Sequence, residues 1–318
     1  MTTPFRASAH ERMPRDRRST ANDRKFVVAL ARGLDVLRAF KATDGVLGNQ
    51  EIAARTHLPK PTVSRLTYTL TKLGYLTHVD QLGKYQLAPA ALALGYTALA
   101  HLGLRHIARP FLQELADYAA ASVALGSPDR NSVIYVEHCL SSAAVAVRLE
   151  LGSRIPMATT AIGRALIAVL PDEERRELFE RLAWREGSRW PKIQAGIEQA
   201  IADVATRGFV VSIGEWQADV NAAAAPLVMP NGSGVFAINC GAPAYRLARE
   251  RLEADIGPRL LSVVRKIEAI VNGRDDVTRM PFAQRCGNRN EKSGRTDGAA
   301  GRSYERRGAR SRDSASVR

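Results

Sequence analysis

The residues best suited to chemistry lie in the segment Leu58–Tyr75, where the polar side chains are hydrogen-bond donors and no carboxylate occurs. Apolar residues recur on one side at the spacing of a helix, and they are Val63, Leu66, Leu70 and Leu73. The opposite side carries Pro61, Ser64, Arg65, Tyr68 and Lys72. Hydroxyl, guanidinium and ammonium groups can donate to phosphates and base edges, and a guanidinium can bind a guanine through two bonds. The pattern therefore predicts a helix that contacts a polyanion.

The elements around this segment predict a small module of three helices and a hairpin. Apolar spacing predicts a first helix over Phe26–Phe40 and a short second helix over Asn49–Arg55, which makes the donor-rich helix the third. Two runs with β-character follow, Tyr75–Val79 and Lys84–Leu87. Two short helices joined by a tight turn are typical of a helix-turn-helix, and a hairpin directly after the second is a wing.

Eight residues of this module are expected to contact DNA. One group would read bases or position the helix on DNA, and it consists of Pro61, Thr62, Ser64, Arg65 and Tyr68. The second group would bind phosphates, and it consists of Lys60, Lys72 and Lys84. A generic three-helix bundle is the alternative. The polarity of the helix, the hairpin and a net charge of +4 over residues 26–88 favour the DNA interpretation.

The charge of the chain is unevenly distributed. The net charge is +14 over 318 residues, yet residues 89–272 hold nineteen basic and nineteen acidic residues. Residues 1–25 carry +4 and residues 273–318 carry +6. A basic module attached to a neutral one suggests that one part touches nucleic acid while the other has a different role. For the basic ends, a contribution to solubility alone is as good an interpretation as DNA binding.

The neutral region predicts an α+β domain. Helices are predicted over Pro89–Leu102, Leu104–Ala121, Asp172–Trp184, Pro191–Arg207 and Arg249–Val271. Strands are predicted over Ser122–Leu125, Ser132–Glu137, Ala144–Leu149, Gly208–Ile213, Ala222–Met229 and Gly234–Cys240. This order of elements indicates an antiparallel sheet with flanking helices.

One turn in this domain could bind an anion. Thr159 and Thr160 precede a predicted helix in which Gly163 allows close approach. Free N–H groups at the start of a helix can bind a carboxylate. The alternative is that the two threonines only cap the helix.

Several sequence blocks, with their spacing, carry a family resemblance. They are Val28–Phe40, Leu58–Leu66, Leu73–Tyr75, Tyr85–Pro89, Leu151–Leu166, Arg207–Phe209, Ala224–Leu227 and Gly241–Pro243. Together they resemble the IclR family of bacterial transcriptional regulators over most of the chain, from Phe26 to Val271. The resemblance implies an N-terminal winged helix-turn-helix and a C-terminal GAF-like sensor domain. It also implies that the protein pairs as a dimer or tetramer, binds double-stranded DNA and responds to a small organic or aromatic acid.

The resemblance also implies where that effector binds. The implied ligand contacts are Thr159, Thr160, Ala161, Gly163, Glu215, Asp219, Asn221 and Cys240. Asp219 and Asn221 differ from the small or arginine residues expected near those positions, so the resemblance does not identify the ligand.

The predicted domain organisation has five parts. They are a disordered basic arm at 1–22, a winged helix-turn-helix at 23–88, a linker helix at 89–103, an effector-binding domain at 104–272 and a disordered basic tail at 273–318.

Other function classes find little support. The sequence has no P-loop, G-x-G-x-x-G or G-x-S-x-G motif, and its histidines lack metal-ligand spacing, so no enzyme, cofactor or metal is expected. Three cysteines without a C-x-x-C, no apolar leader and no apolar run long enough to span a bilayer predict a cytoplasmic protein. The remaining alternatives are a nonspecific nucleoid-type DNA-binding protein and, with less support, a small-molecule enzyme with a DNA-binding appendage.

Overall fold

The computed structural model describes residues 25–41, 44–100, 102–142, 149–229 and 234–272. The predicted basic arm and tail lie outside these ranges, as do the predicted strand at 144–149 except for its last residue and most of the predicted turn at 230–234.

The N-terminal module has the three helices and the hairpin that the sequence predicts. Its elements are α1 (Val28–Arg38), α2 (Asn49–Thr56), α3 (Lys60–Lys72), β1 (Leu76–Val79), a 3₁₀ turn (Asp80–Leu82) and β2 (Lys84–Leu87). The two strands pair antiparallel, and a bridge from Leu47 to Tyr85 ties the hairpin to the segment before α2. The buried cluster that joins these elements includes Val36, Ile52, Val63, Leu70 and Leu76. The module is therefore a winged helix-turn-helix with its own core.

The inward side of α3 differs from the prediction at two positions. Leu73 is 62% exposed, because the helix ends at Lys72 and Leu73 is its capping residue. Thr67 is buried instead, and its hydroxyl donates to Asn49 Oδ1 and to the carbonyl of Ser64, each at 3.1 Å. A buried hydroxyl with a partner does not carry the cost of an unsatisfied polar group.

The second domain is an antiparallel sheet covered by helices. The module leads into α4 (Pro89–Ala100) and α5 (Gly103–Ala119). The sheet order is β5-β4-β3-β8-β7-β6, with the strands β3 (Ser122–Asp129), β4 (Ser132–Leu140), β5 (Arg154–Pro156), β6 (Val210–Ile213), β7 (Val220–Val228) and β8 (Val235–Pro243). The remaining helices are α6 (Ala161–Ala168), α7 (Asp172–Glu186), α8 (Trp190–Arg207), α9 (Arg249–Arg251) and, after a π-helical turn at Leu252–Ile256, α10 (Gly257–Val271). The α+β prediction is confirmed, although β5 was not predicted.

The two faces of the sheet have different partners. Val123, Ala223 and Cys240 belong to the main apolar core, which also contains buried residues of α5 and α10. Their neighbours Ser122, Ala222 and Asn239 face the other side, where α6 packs. This alternation decides which strand residues can meet a ligand, because successive side chains of a strand point to opposite faces. None of the helices in the described ranges is long and apolar enough to cross a bilayer.

Candidate functional sites

The first site is the exposed side of α3. Lys60, Pro61, Ser64, Arg65, Tyr68 and Lys72 are exposed and Thr62 is half-buried. The Lys72 ammonium lies 5.5 Å from the centre of the Tyr68 ring, and that ring is 63% exposed. Arg65 has no carboxylate within ion-pair distance in the part of the chain that the structure describes. The helix therefore presents an uncompensated guanidinium and a row of donors to solvent.

The carboxylates of this module are all occupied by partners. The pairs are Asp35 with Arg130 at 3.1 Å, Asp44 with Arg55, Glu51 with Lys84 at 3.2 Å and Asp80 with His78 at 2.6 Å. Three of these partners belong to the module itself. Lys84, which the sequence predicts to bind phosphate, is thus already paired across the module with Glu51 of α2. The acids do not neutralise the donor face of α3.

Asp129, the last residue of β3, joins the module to the sheet domain. Arg38 of α1 donates through Nη2 to both oxygens of this carboxylate, at 2.7 and 2.8 Å. Arg154 of β5 donates to it through Nε at 2.8 Å. Burial raises the pKa of Asp129, but the two guanidinium groups outweigh burial and hold its pKa below the usual value. The carboxylate is therefore ionised at neutral pH and bridges the two domains.

The second site is a cavity between the start of α6 and the sheet. Its volume is about 40 Å³, room for about three waters at roughly 10–15 Å³ each. Its polar lining consists of Ser122, Tyr135, Thr160, Ser212, Trp216 and Asn239. None of the described residues that line it carries a formal charge. Within the described residues the cavity therefore has hydrogen-bonding groups and an apolar body but no cation.

The start of α6 forms one wall of the cavity. Thr160 caps the helix: its Oγ1 accepts from the N–H of Gly163 at 3.2 Å and donates to the carbonyl of Pro156 at 2.6 Å. A Cβ on Gly163 would lie 2.1 Å from the carbonyl oxygen of Met157, so only glycine lets the turn press against the helix. Thr160 and Ala161 line the cavity, with the first-turn N–H groups of the helix behind them.

Two polar pairs lie at the floor of the cavity, which is lined by Tyr135, Asn239 and Ser122. The Tyr135 hydroxyl interacts with the side-chain amide of Asn239, and burial raises the pKa of Tyr135 to about 12, so the phenol is neutral. Ser122 Oγ lies 2.7 Å from His138 Nε2. Burial lowers the pKa of His138 although Glu137 and Glu150 act in the opposite direction. Asn239 Oδ1 has no hydrogen-bond partner within the described residues.

An ion pair between a buried arginine and an exposed glutamate fixes the loop over the cavity. Arg164 of α6 is only 5% exposed, and its Nε donates to the carbonyl of Ala158 at 3.0 Å. Its Nη2 lies 2.5 Å from Glu215 Oε2. Gly196 of α8 leaves room for this guanidinium, because a Cβ there would lie 2.6 Å from Nη2. Glu215 thus anchors the loop that carries Trp216 to the cavity wall.

Two family descriptions match this chain. The description "IclR helix-turn-helix domain" matches residues 29–80, and "Bacterial transcriptional regulator IclR C-terminal" matches residues 96–269, which is more than half of the chain. The chain belongs to the IclR family of transcriptional regulators. Proteins of this family bind DNA through the N-terminal domain and carry a C-terminal effector domain. The resemblance seen in the sequence is confirmed.

Individual IclR-family members agree with this assignment. The HTH-type transcriptional regulator TsaQ1/TsaQ2 of Comamonas testosteroni is 33% identical over 246 residues, 77% of this chain and 88% of that protein. The crystal structure of an IclR family transcriptional regulator from Brucella abortus is 48% identical with a TM-score of 0.72, covering 78% of this chain and 94% of the other. An IclR homologue from Microbacterium hydrocarbonoxydans, crystallised with 4-hydroxybenzoate, is 22% identical with a TM-score of 0.60, covering 77% and 99%, and indicates the shared fold.

The residues that the sequence assigns to the effector site of this IclR-family chain lie in different places. Thr160 and Ala161 line the cavity, Gly163 packs behind them, and Thr159 does not line it. Glu215 binds Arg164, and Asp219 is exposed. Asn221 donates to the carbonyl of Leu247 at 2.8 Å, and Cys240 is buried in the core beside α5 and α10. The structure thus places Asn221 and Cys240 away from the cavity that they were expected to line.

The difference at Asn221 and Cys240 comes from the alternation of a strand. A shift of one residue turns every side chain to the opposite face. The cavity is lined by Ala222, Asn239 and Gly241, which are the immediate neighbours of the predicted residues. The sequence contained a signal for the correct face. Asn239 is polar and stands between the apolar residues Ile238 and Cys240, and this alternation is typical of a strand whose two faces have different environments.

Proposed function

We propose that this protein is a ligand-responsive transcriptional regulator, in which a small organic acid binds in the cavity and changes the affinity of α3 for its operator. The observation that carries the proposal is the position of the cavity. It lies against the start of α6, where N–H groups favour an anion, and it is bordered by β5, whose Arg154 contacts Asp129. Through Asp129 the same strand is connected to Arg38 in the DNA-binding domain. A ligand with different affinities for two arrangements would shift their populations.

On the DNA side, α3 would enter the major groove. Arg65, Tyr68 and their neighbours would contact bases, while Lys60 and Lys72 would bind phosphates. We assign Lys84 a smaller role, because Glu51 already holds its ammonium. A dimer or a pair of dimers on a two-fold operator is supported by α4, which has no buried residue in one chain and exposes Leu92 and other apolar side chains. We expect this assembly to act in the cytoplasm.

We further propose that the ligand is not turned over. Ser122 and His138 have the separation of a nucleophile and its base. Yet the adjacent carboxylate, Glu137, is held by Arg105 and Arg109, and within the described ranges no carboxylate orients the other ring nitrogen of His138. A hydrogen bond that fixes a buried serine and a half-buried histidine accounts for this pair.

The deciding experiment is selection of bound sequences from random double-stranded DNA by the full-length protein, at roughly 150 mM salt, where exposed charges are strongly screened. We expect a motif with two symmetric half-sites. Its affinity should change on addition of an acid that binds in the cavity. Recovery of DNA without any motif would favour the nonspecific nucleoid-type protein instead. Consumption of the acid during incubation would favour the enzyme alternative.

A further inference from the structure

Asn239 is a polar residue of the cavity whose amide oxygen is fully buried without a protein partner among the described residues. Its side chain lies in β8 on the cavity side of the sheet, and the residue is only 9% exposed. The amide interacts with the Tyr135 hydroxyl, but Oδ1 has no partner within the described residues. Asn239 Oδ1 is therefore an acceptor beside the cavity that no protein group of the described residues occupies. A ligand can supply the missing donor.

The other residues of the lining restrict the type of donor group that the ligand can present to Asn239. An amide oxygen only accepts, so the ligand must offer O–H or N–H. Among the described residues no carboxylate lines the cavity that could compensate an ammonium group, and burying an unpaired charge is costly. A hydroxyl group needs no counter-ion, and its own oxygen can accept from the hydroxyls of Tyr135 or Ser212, which line the same cavity.

We propose that Asn239 makes the cavity selective for a carboxylate that also carries a hydroxyl group. The hydroxyl donates to Asn239 Oδ1, and the carboxylate lies at the start of α6 beside Thr160 and Ala161. The volume of about 40 Å³ favours a compact hydroxy acid of a few carbon atoms over a ring. This inference rests on the proposed effector function and adds the class of ligand to it.

The test is calorimetric titration of the full-length protein with acids that differ by one group. The pairs are glycolate with acetate, lactate with propionate and 4-hydroxybenzoate with benzoate, and glycine is added as the amino analogue of glycolate. We expect glycolate or lactate to bind about tenfold or more tightly than its partner, because a site built around a hydroxyl rejects the analogue that lacks it. A preference shown only by 4-hydroxybenzoate would contradict the inference that the acid is compact. Glycine should bind more weakly than glycolate. This comparison uses the wild-type protein, so it does not depend on the folding of any variant.

The residue is tested with Asn239→Leu, which keeps the size of the side chain and removes the acceptor. The variant should lose the preference for the hydroxy acid while binding of the simple acid is unchanged. Asn239→Ser serves as a second variant that is less demanding on packing, and it should reduce the preference. Gln199→Leu on the exposed side of α8 is the matched control, because it removes a side-chain amide outside the cavity and should leave the preference intact.

Each outcome bears on a different statement. Equal binding of hydroxy and simple acids by the wild type, or tighter binding of glycine, would overturn the hydroxy-acid inference and leave the effector function standing. Preference for the hydroxy acid that survives in folded Asn239→Leu would overturn the role of Asn239. Binding of none of the acids would overturn both this inference and the proposed effector function.

Discussion

Arg154 and Ile155 are consecutive residues of β5 that serve two different parts of the molecule. Ile155 lines the cavity, whereas Arg154 donates to Asp129, the carboxylate that also binds Arg38 of the DNA-binding domain. A displacement of β5 by a ligand would therefore move one partner of the bridge between the domains. Short strands at the edge of a sheet have few neighbours to resist such a displacement, and among the described residues β5 pairs only with β4.

Asp129→Asn should uncouple the ligand response from DNA binding. The amide keeps the shape of the side chain but lacks the charge that holds two guanidinium groups. We expect ligand affinity to be unchanged, and the ratio of operator affinities with and without ligand, typically about 5–150-fold in allosteric proteins, to fall towards one. Fluorescence anisotropy with labelled operator measures this ratio. Glu173→Gln, which removes a carboxylate paired only along α7, is the control. An unchanged ratio in Asp129→Asn would exclude the bridge from coupling.

The same bridge should have a characteristic pH dependence. Because the folded pKa of Asp129 is lowered from 3.8, its stabilisation is present above the unfolded pKa and is lost as the pH falls through the folded pKa. The difference in melting temperature between wild type and Asp129→Asn should be constant from about pH 5 to 7 and should shrink below about pH 4. Thermal unfolding followed by circular dichroism measures it. A difference that grows as the pH falls would mean that another group is responsible.

Arg65→Ala should weaken binding to the cognate operator by about 1–3 kcal/mol and relax specificity at one base pair. Lys72→Ala should instead weaken binding to all sequences alike and reduce the slope of log affinity against log salt by about one. Titrations at several salt concentrations separate these effects. Arg176→Ala on α7 changes the charge equally and lies outside the DNA-binding domain, so it should have neither effect. Unaltered operator affinity in Arg65→Ala would refute the assignment of α3.

Glu137→Gln should destabilise the effector domain. The carboxylate is only 3% exposed and accepts from Arg105 Nε at 2.6 Å and from Arg109 Nη1 at 2.7 Å. Loss of the charge in a buried site leaves two arginines with a weaker acceptor, which should lower the free energy of unfolding by about 1–3 kcal/mol. Urea denaturation gives the value. Glu198→Gln on the exposed side of α8 should have little effect, and an equal loss in both variants would contradict the explanation.

The sequence predicted those elements whose structure is determined by a local pattern of residues. The donor face of α3 and the hairpin follow from spacing over a few residues, and the structure contains both. The cavity depends on contacts between distant segments, so its lining could be predicted only in part. Arg164 and Glu215 are about fifty positions apart in the sequence, so no local pattern predicts that they pair. The choice between Asn239 and Cys240 depends on which face of β8 meets α6, which is a tertiary fact.

The position of Trp216 has a practical consequence. Its indole lines the cavity and is held there by the loop that Glu215 anchors, whereas Trp184 and Trp190 belong to α7 and α8 and do not line the cavity. A ligand that replaces water beside this indole should shift its fluorescence emission to shorter wavelength. The protein therefore contains an intrinsic optical probe, and occupancy could be followed without a label in the free protein and on DNA alike.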